Sequence, residues 1–143
     1  MWQEFAASIE YLECGRMISG DLVGGVKTPL TEAESGAYDA PFPDATHQAG
    51  CLSFPSLMPT SPDQEGAKIM LAAWSVYDAW EKPFATCFGV PDPVTGHGQK
   101  YFAETVPGAK RSSHTKIEGV GHYCQEVGHS ALVAAINEAA TQA

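Results

Sequence analysis

The final 60 residues alternate short apolar runs with amphipathic stretches. Residues 83–89 and 113–118 predict strands, since both are short runs bounded by Pro, Gly or Ser. Residues 98–106 and 130–140 predict helices. The second helix carries a one-sided apolar set: Leu132, Val133, Ala135, Ile136 and Ala139. This order predicts two parallel strands with crossover connections. Because parallel sheets usually have four or more strands, we expect part of a larger, incomplete α/β sheet.

The first 82 residues follow a different pattern. Most of the prolines fall here, and short helical patterns lie between turns. The predicted helices are 2–13, 30–39 and 64–80. We therefore divide the chain into a helical region, 1–82, and an α/β segment, 83–143.

Composition narrows the function by exclusion. The chain has 143 residues, 44% of them apolar, which suits one globular unit with a real core. A net charge of -9 with only eight Lys plus Arg argues against nucleic acid and anionic membranes as partners. No apolar stretch reaches the ~20 residues of a membrane span, and the N-terminus lacks a signal-peptide pattern. We expect a cytoplasmic protein.

The four cysteines predict no metal site. They are Cys14, Cys51, Cys87 and Cys124, with no CxxC pair and no histidines at ligand spacing. Free, buried thiols are the expected state.

Chemistry is indicated at the ends of the two predicted strands. Asp92 stands between two prolines after the first strand, and His122 follows a glycine after the second. An Asp and then a His at strand ends are the last two members of a hydrolase triad with the order nucleophile, acid, base. The alternative is an Asp that caps the next helix and an unrelated surface His. Order, spacing and flanking residues together favour the triad.

The nucleophile should precede both residues, and the sequence does not provide one. The only string similar to a nucleophile elbow is residues 20–25, around Asp21. Its glycines are one residue too far from Asp21, and no apolar strand leads into it. We expect that Asp21 is not a nucleophile.

Several strings resemble haloalkane dehalogenases of the α/β-hydrolase superfamily, over nearly the whole chain. They include Tyr38-Asp39-Ala40-Pro41-Phe42-Pro43-Asp44, Asp92-Pro93-Val94-Thr95 and Gly121-His122-Tyr123-Cys124-Gln125-Glu126. The first string is far more specific than the Gly-His element, which many α/β-hydrolases share. The resemblance implies that residues 1–82 are a helical cap and that 83–143 are the C-terminal part of the hydrolase fold. It also implies that the first sheet strands and the elbow would precede this sequence, so that the chain is truncated.

The resemblance further implies a mechanism and a site. In that family an Asp displaces halide to give an alkyl ester, which a His-activated water hydrolyses without a metal or organic cofactor. His122 would be the base and Asp92 its orienting acid. Trp2 would bind halide, or alternatively be an aromatic core anchor or part of a mobile end. The apolar substrate cavity would be lined by Phe54, Pro55 and Met58, although cap packing explains them equally.

Three hypotheses follow. The chain is a haloalkane dehalogenase-like portion that is inactive alone and acts on a small halogenated substrate only when a missing N-terminal half completes it. Alternatively, it is an epoxide hydrolase-like fragment, with Tyr11 and Tyr38 available as proton donors. The third hypothesis is a non-catalytic remnant that self-associates. In each case, unpaired strand edges and apolar faces predict a homo-oligomer.

Overall fold

A computed structural model describes residues 2–20, 26 and 28–142 of the chain. Its first part is helical. The helices are α1 (Trp2–Ser8), α2 (Cys14–Ile18), α3 (Glu32–Asp39), α4 (Ala49–Leu57) and α5 (Glu65–Tyr77), with a short 3-10 helix at Ala45–His47. None of the helices in the described ranges is both long and apolar enough to cross a membrane.

The second part is an α/β segment. It contains β1 (Thr86–Val90), α6 (His97–Thr105), a 3-10 helix (Pro107–Arg111), β2 (His114–Glu118), α7 (Cys124–Val127) and α8 (His129–Gln142). The two strands are parallel, with Thr86 opposite His114 and Val90 opposite Glu118. Among the described residues this is a two-stranded sheet. The predicted order, a helical stretch followed by an open α/β segment with two parallel strands, is therefore confirmed.

The predicted helix at 2–13 is wrong in its second half. The helix ends at Ser8, and the chain turns before α2 begins at Cys14. The reason lies in Gln48, a fully buried side chain. Its amide group accepts from the Leu12 N–H at 2.6 Å and donates to the Leu12 carbonyl at 2.7 Å. Leu12 thus pairs its backbone with a distant side chain rather than with a helical turn.

Helix α4 contains Pro55 and has no counterpart among the helices predicted from sequence. Proline in a helix interior removes a hydrogen bond and normally ends the helix. Here Pro55 lies two residues before the helix ends at Leu57, and Gln3 binds that end from α1: its side-chain amide donates to the carbonyls of Pro55 and Met58 at 2.8 and 2.9 Å. Gln3 thus supplies donors at the end of α4, where the Pro55 carbonyl also accepts from the Met58 N–H at 3.2 Å.

An aromatic cluster packs α5 against α6. The Trp74 and Phe102 rings stack at 5.4 Å, and Phe84 stacks on Phe102 at 5.6 Å. Tyr101 meets Trp74 edge to face at 4.8 Å. Such pairs stabilise packing beyond the area that they bury. The cluster fixes the helical region beside the strand that leads to Asp92.

The buried core is small and lies in two places. One part is between the first helices and contains Ala6, Leu12, Cys14 and Ile18; the other lies against the sheet and contains Val106, Ala109, Ile117 and Val120. Large apolar side chains remain exposed on α4, α5 and α8. Each helix therefore presents apolar surface that the described residues do not cover.

Candidate active site

The two strand ends approach each other at a pair of glycines. A Cβ added to Gly89 would lie 2.2 Å from the Gly121 carbonyl oxygen and 2.6 Å from that of Val120. Only glycine permits this approach. Gly119 adopts a positive φ of 73°, and its N–H donates to the Val90 carbonyl at 2.9 Å, extending the ladder by one bond. The loop after β2 therefore folds back over the end of β1.

Asp92 lies two residues beyond β1 and closes a tight turn. Its Oδ1 accepts from the N–H groups of Val94 and Thr95 at 2.8 and 3.1 Å. Its Oδ2 accepts from the Thr95 hydroxyl at 2.7 Å. Asp followed by Pro favours such a side-chain-capped turn. These three hydrogen bonds fix the carboxylate independently of its contact with His122.

His122 faces this carboxylate from the end of β2. Its Nδ1 is 3.2 Å from Asp92 Oδ2, and the Thr95 hydroxyl is 3.4 Å from the same nitrogen. The Asp92 side chain is 3% exposed, whereas that of His122 is 31% exposed. The carboxylate is thus buried behind the imidazole, which reaches the surface. The two residues proposed from sequence as acid and base therefore lie in contact.

Hydrogen bonds stabilise the ionised form of Asp92. Burial opposes ionisation, but the Thr95 hydroxyl, the Thr95 N–H, His122 and the Val94 N–H outweigh it. The pKa of Asp92 falls from 3.8 to about 2. Donors that bind the charged form favour it. Asp92 is therefore a carboxylate at neutral pH.

This pair has the geometry to orient a base. A carboxylate acceptor at Nδ1 selects the tautomer with hydrogen on that nitrogen and leaves the Nε2 lone pair basic. Nε2 can then take a proton from water, and Asp92 stabilises the resulting imidazolium. The arrangement suits general-base chemistry.

The apolar residues predicted to line a cavity lie together elsewhere. Phe54, Pro55 and Met58 border a pocket of about 400 Å³ with Leu12, Cys14, Met17, Gly50 and Cys51. Phe54 is 70% exposed. Neither Asp92 nor His122 lines this pocket. The structure brings these three apolar residues together, but not onto the acid and base.

Two sequence candidates fall outside what can be described. Trp2 begins α1, but its side chain is outside the described part of the chain, as is Asp21 in full. Within the described ranges no group of three or more His, Cys, Asp or Glu side chains could hold a metal ion. The four cysteines are free thiols as expected, but only Cys14 is buried.

Sequence reasoning missed one contributor to the site and one contact near it. Thr95 bonds both Asp92 and His122, and the Asp-Pro-x-Thr string that it ends is a recognisable turn signal. Glu126 accepts a hydrogen bond from the hydroxyl of Tyr38. No spacing rule connects residues 88 positions apart, so that contact had no sequence signal.

Comparison with known proteins reveals similar sequences and a similar structure. A haloalkane dehalogenase of Psychrobacter cryohalolentis is 38% identical over 125 residues, covering 87% of this chain and 40% of the relative. One of Mycolicibacterium paratuberculosis is 40% identical over 125 residues with the same coverage. A tetrameric haloalkane dehalogenase from Paraglaciecola agarilytica superposes with a TM-score of 0.77 at 26% identity, covering 95% of this chain and 44% of that one. No family model matches the chain.

These comparisons confirm the resemblance to haloalkane dehalogenases and, through the structural neighbour, to the α/β-hydrolase fold. The chain spans about two fifths of the length of the curated relatives that it matches.

Proposed function

We propose that this chain provides the acid and base of a haloalkane dehalogenase-like site. Asp92 orients His122, and His122 activates the water that hydrolyses an alkyl ester on an Asp nucleophile. The observation that carries this proposal is the contact between His122 Nδ1 and Asp92 Oδ2 at 3.2 Å, beyond the ends of two parallel strands. Reactive groups of open α/β folds collect at that edge of the sheet.

Residues 1–82 are assigned to the cap in the same proposal. Phe54, Pro55 and Met58 form its apolar lining, which suits a small halogenated hydrocarbon, and Trp2 donates its indole N–H to the departing halide. The pocket of about 400 Å³ bordered by these three residues supports the apolar part of this assignment.

The ester-forming Asp comes from another segment in this proposal. Asp21 lacks the glycine spacing of an elbow. We therefore expect no halide release from 1,2-dihaloalkanes by these 143 residues alone. Release that disappears in Asp21→Asn would contradict this expectation.

A chimera tests the acid and base directly. The part of the Psychrobacter cryohalolentis relative that precedes the matched region is joined to this chain, and halide release is measured. We expect turnover that His122→Phe lowers by at least 10³-fold and Asp92→Asn by at least tenfold. A folded, active chimera whose turnover survives His122→Phe would contradict the proposal.

The epoxide hydrolase hypothesis is less well supported. It needs cap tyrosines that donate to the epoxide oxygen, but the Tyr11 hydroxyl donates to the Phe42 carbonyl at 3.0 Å and that of Tyr38 donates to Glu126. Both hydroxyls are used within the fold. Hydrolysis of an epoxide by the chimera in preference to a haloalkane would reverse this choice.

Self-association belongs to the same proposal. The tetrameric neighbour and the exposed apolar side chains of α5 and α8 support assembly of this chain into a homo-oligomer. The non-catalytic alternative predicts the same assembly, so only the chimera separates the two.

A further inference from the structure

A long-range polar contact joins the helical region to the turn that carries His122. The hydroxyl of Tyr38, in the last turn of α3, donates to the carboxylate of Glu126 in α7. Both side chains are half-buried. Helix α7 begins at Cys124, two residues after His122. The contact therefore acts close to the base but outside the Asp92 turn.

Helix α7 needs such an external contact. It has only four residues, and a helix of this length is not stable on local hydrogen bonds. Its own bonds are few: the Glu126 N–H donates to the Tyr123 carbonyl at 3.1 Å and the Gly128 N–H to that of Cys124 at 2.7 Å. Its position, and hence that of the preceding turn, depends on tertiary contacts.

The path from this contact to the base is short. Tyr123 precedes α7, and its half-buried ring meets the His122 ring edge to face at 5.0 Å. On the other side, the Gly121 backbone lies against Val26, where an added Cβ would be 2.8 Å from the Val26 carbonyl oxygen. The turn is thus held at both ends by the helical region.

We propose that Tyr38 and Glu126 are positioning residues for His122: their hydrogen bond fixes α7 so that the His122 ring presents Nδ1 to Asp92. This proposal rests on the proposed function of the Asp92–His122 pair. Through it, the orientation of the base depends on the placement of α3, and the helical region contributes to proton transfer without touching the reacting atoms.

The charge states suit this role at neutral pH. The hydrogen bond to Glu126 and, after it, burial raise the pKa of Tyr38 above its ordinary 10. The phenol therefore stays protonated and donates, while the carboxylate is a strong acceptor.

The experiment is a measurement of the His122 tautomer by ¹⁵N NMR of the whole chain, with the signal assigned from its loss in His122→Phe. We expect mainly the Nδ1–H form in the wild type. Tyr38→Phe and Glu126→Ala should each lower the ratio of Nδ1–H to Nε2–H at least threefold. Glu126→Gln keeps an acceptor and should restore the wild-type ratio. A contact that only stabilised the fold would change melting without moving this ratio.

The control is Tyr11→Phe. It likewise removes a tyrosine hydroxyl that donates a hydrogen bond, but the acceptor is the Phe42 carbonyl and the contact does not involve α7. An equal ratio in Tyr38→Phe and Tyr11→Phe overturns the proposal. If Tyr38→Phe fails to fold, the Glu126→Ala and Glu126→Gln pair decides by the same criterion.

Asp92→Asn separates this proposal from the one on which it rests. If Asp92→Asn leaves the tautomer ratio unchanged, the acid–base pair itself is wrong. If Asp92→Asn changes the ratio and Tyr38→Phe does not, the pair stands and only the positioning role is overturned.

Discussion

The turn after β1 and the outer faces of α5 and α8 differ in whether the described residues provide their contact partners. In the turn, both oxygens of Asp92 accept hydrogen bonds from residues two or three positions away. On the helices, Ile69 is 69% exposed and Ile136 is 58% exposed. The Asp92 turn finds its hydrogen-bond donors within a few residues, whereas the two helices present apolar surface to water.

This difference follows from the range of the forces involved. A carboxylate in a turn finds its donors in the local backbone, so a short sequence suffices to place it. An apolar helical face is stabilised only when another surface covers it, and that surface is set by tertiary or quaternary structure. The acid–base pair can therefore form where the surrounding core is sparse.

The largest expected effect concerns assembly. If no oligomer formed, the outer faces of α5 and α8 would need no partner, and their contrast with the Asp92 turn would not hold. We expect a dimer or larger oligomer, because exposed isoleucines gain about 1.5–3 kcal/mol each on burial. The double variant Ile69→Gln/Ile136→Gln should weaken association at least 100-fold, as measured by sedimentation equilibrium.

The matched control for assembly is Lys68→Gln, which places the same side chain at the neighbouring exposed position of α5. It should leave the dissociation constant within a few fold of the wild-type value. A stable 15.2 kDa monomer of the unaltered chain at micromolar concentration would show that these faces need no partner.

The second effect concerns the contact between the strand ends. Gly89→Ala places a methyl group 2.2 Å from the Gly121 carbonyl oxygen, so the backbone must move. We expect a loss of about 2–3 kcal/mol in the free energy of unfolding. Urea unfolding measures this loss, and the ¹⁵N signal of His122 should move toward that of Asp92→Asn.

Gly36→Ala is the control for that substitution. Its added Cβ meets nothing within 4 Å, and the residue lies in α3. Alanine in a helix should raise stability by about 0.5–1 kcal/mol. Equal losses in the two variants would mean that the approach of Gly89 to Gly121 is not tight.

Local signals predicted the strands that carry the candidate site better than they predicted the helical region. The positions of Asp92 and His122 followed from strand order and flanking Pro and Gly. Both strands were found to within three residues at each end, although β1 runs from Thr86 to Val90 rather than from 83 to 89. These elements are encoded by patterns that span fewer than ten residues.

The errors all involve partners distant in sequence. Gln48 ends the predicted first helix by binding Leu12, and Gln3 binds the end of α4 from α1. The Tyr38–Glu126 contact spans 88 positions. A side chain that satisfies a remote backbone group leaves no periodic trace, so propensity alone could not find these contacts.

The third effect concerns how the stabilisation by the Asp92 turn depends on pH. Because the pKa of Asp92 is lowered to about 2, its charge stabilises the fold fully above its unfolded pKa of 3.8 and loses this contribution as pH falls through 2. Asp92→Asn should cost about 1–2 kcal/mol at pH 7, allowing for solvent near the turn, and the difference from wild type should shrink between pH 4 and pH 2. Asp78→Asn, which makes the same change at an exposed position, is the control. A constant difference across this range would place the stabilisation in packing rather than charge.

The smallest effect tests whether a local polar motif also operates in the helical region. Thr31 caps α3: its hydroxyl accepts from the Glu34 N–H at 3.2 Å, and its own N–H donates to the Glu34 carboxylate at 2.8 Å. Thr31→Ala should lower the free energy of unfolding by roughly 0.5–1 kcal/mol, and Thr31→Ser should restore most of it, since serine keeps the acceptor. Urea unfolding of both variants measures the two values. Because α3 carries Tyr38, Thr31→Ala should also speed amide exchange in α7 relative to Thr31→Ser. Stability loss without faster exchange in α7 would mean that α3 and the His122 turn are fixed independently. The acid and the base would then both be held by contacts within their own turns.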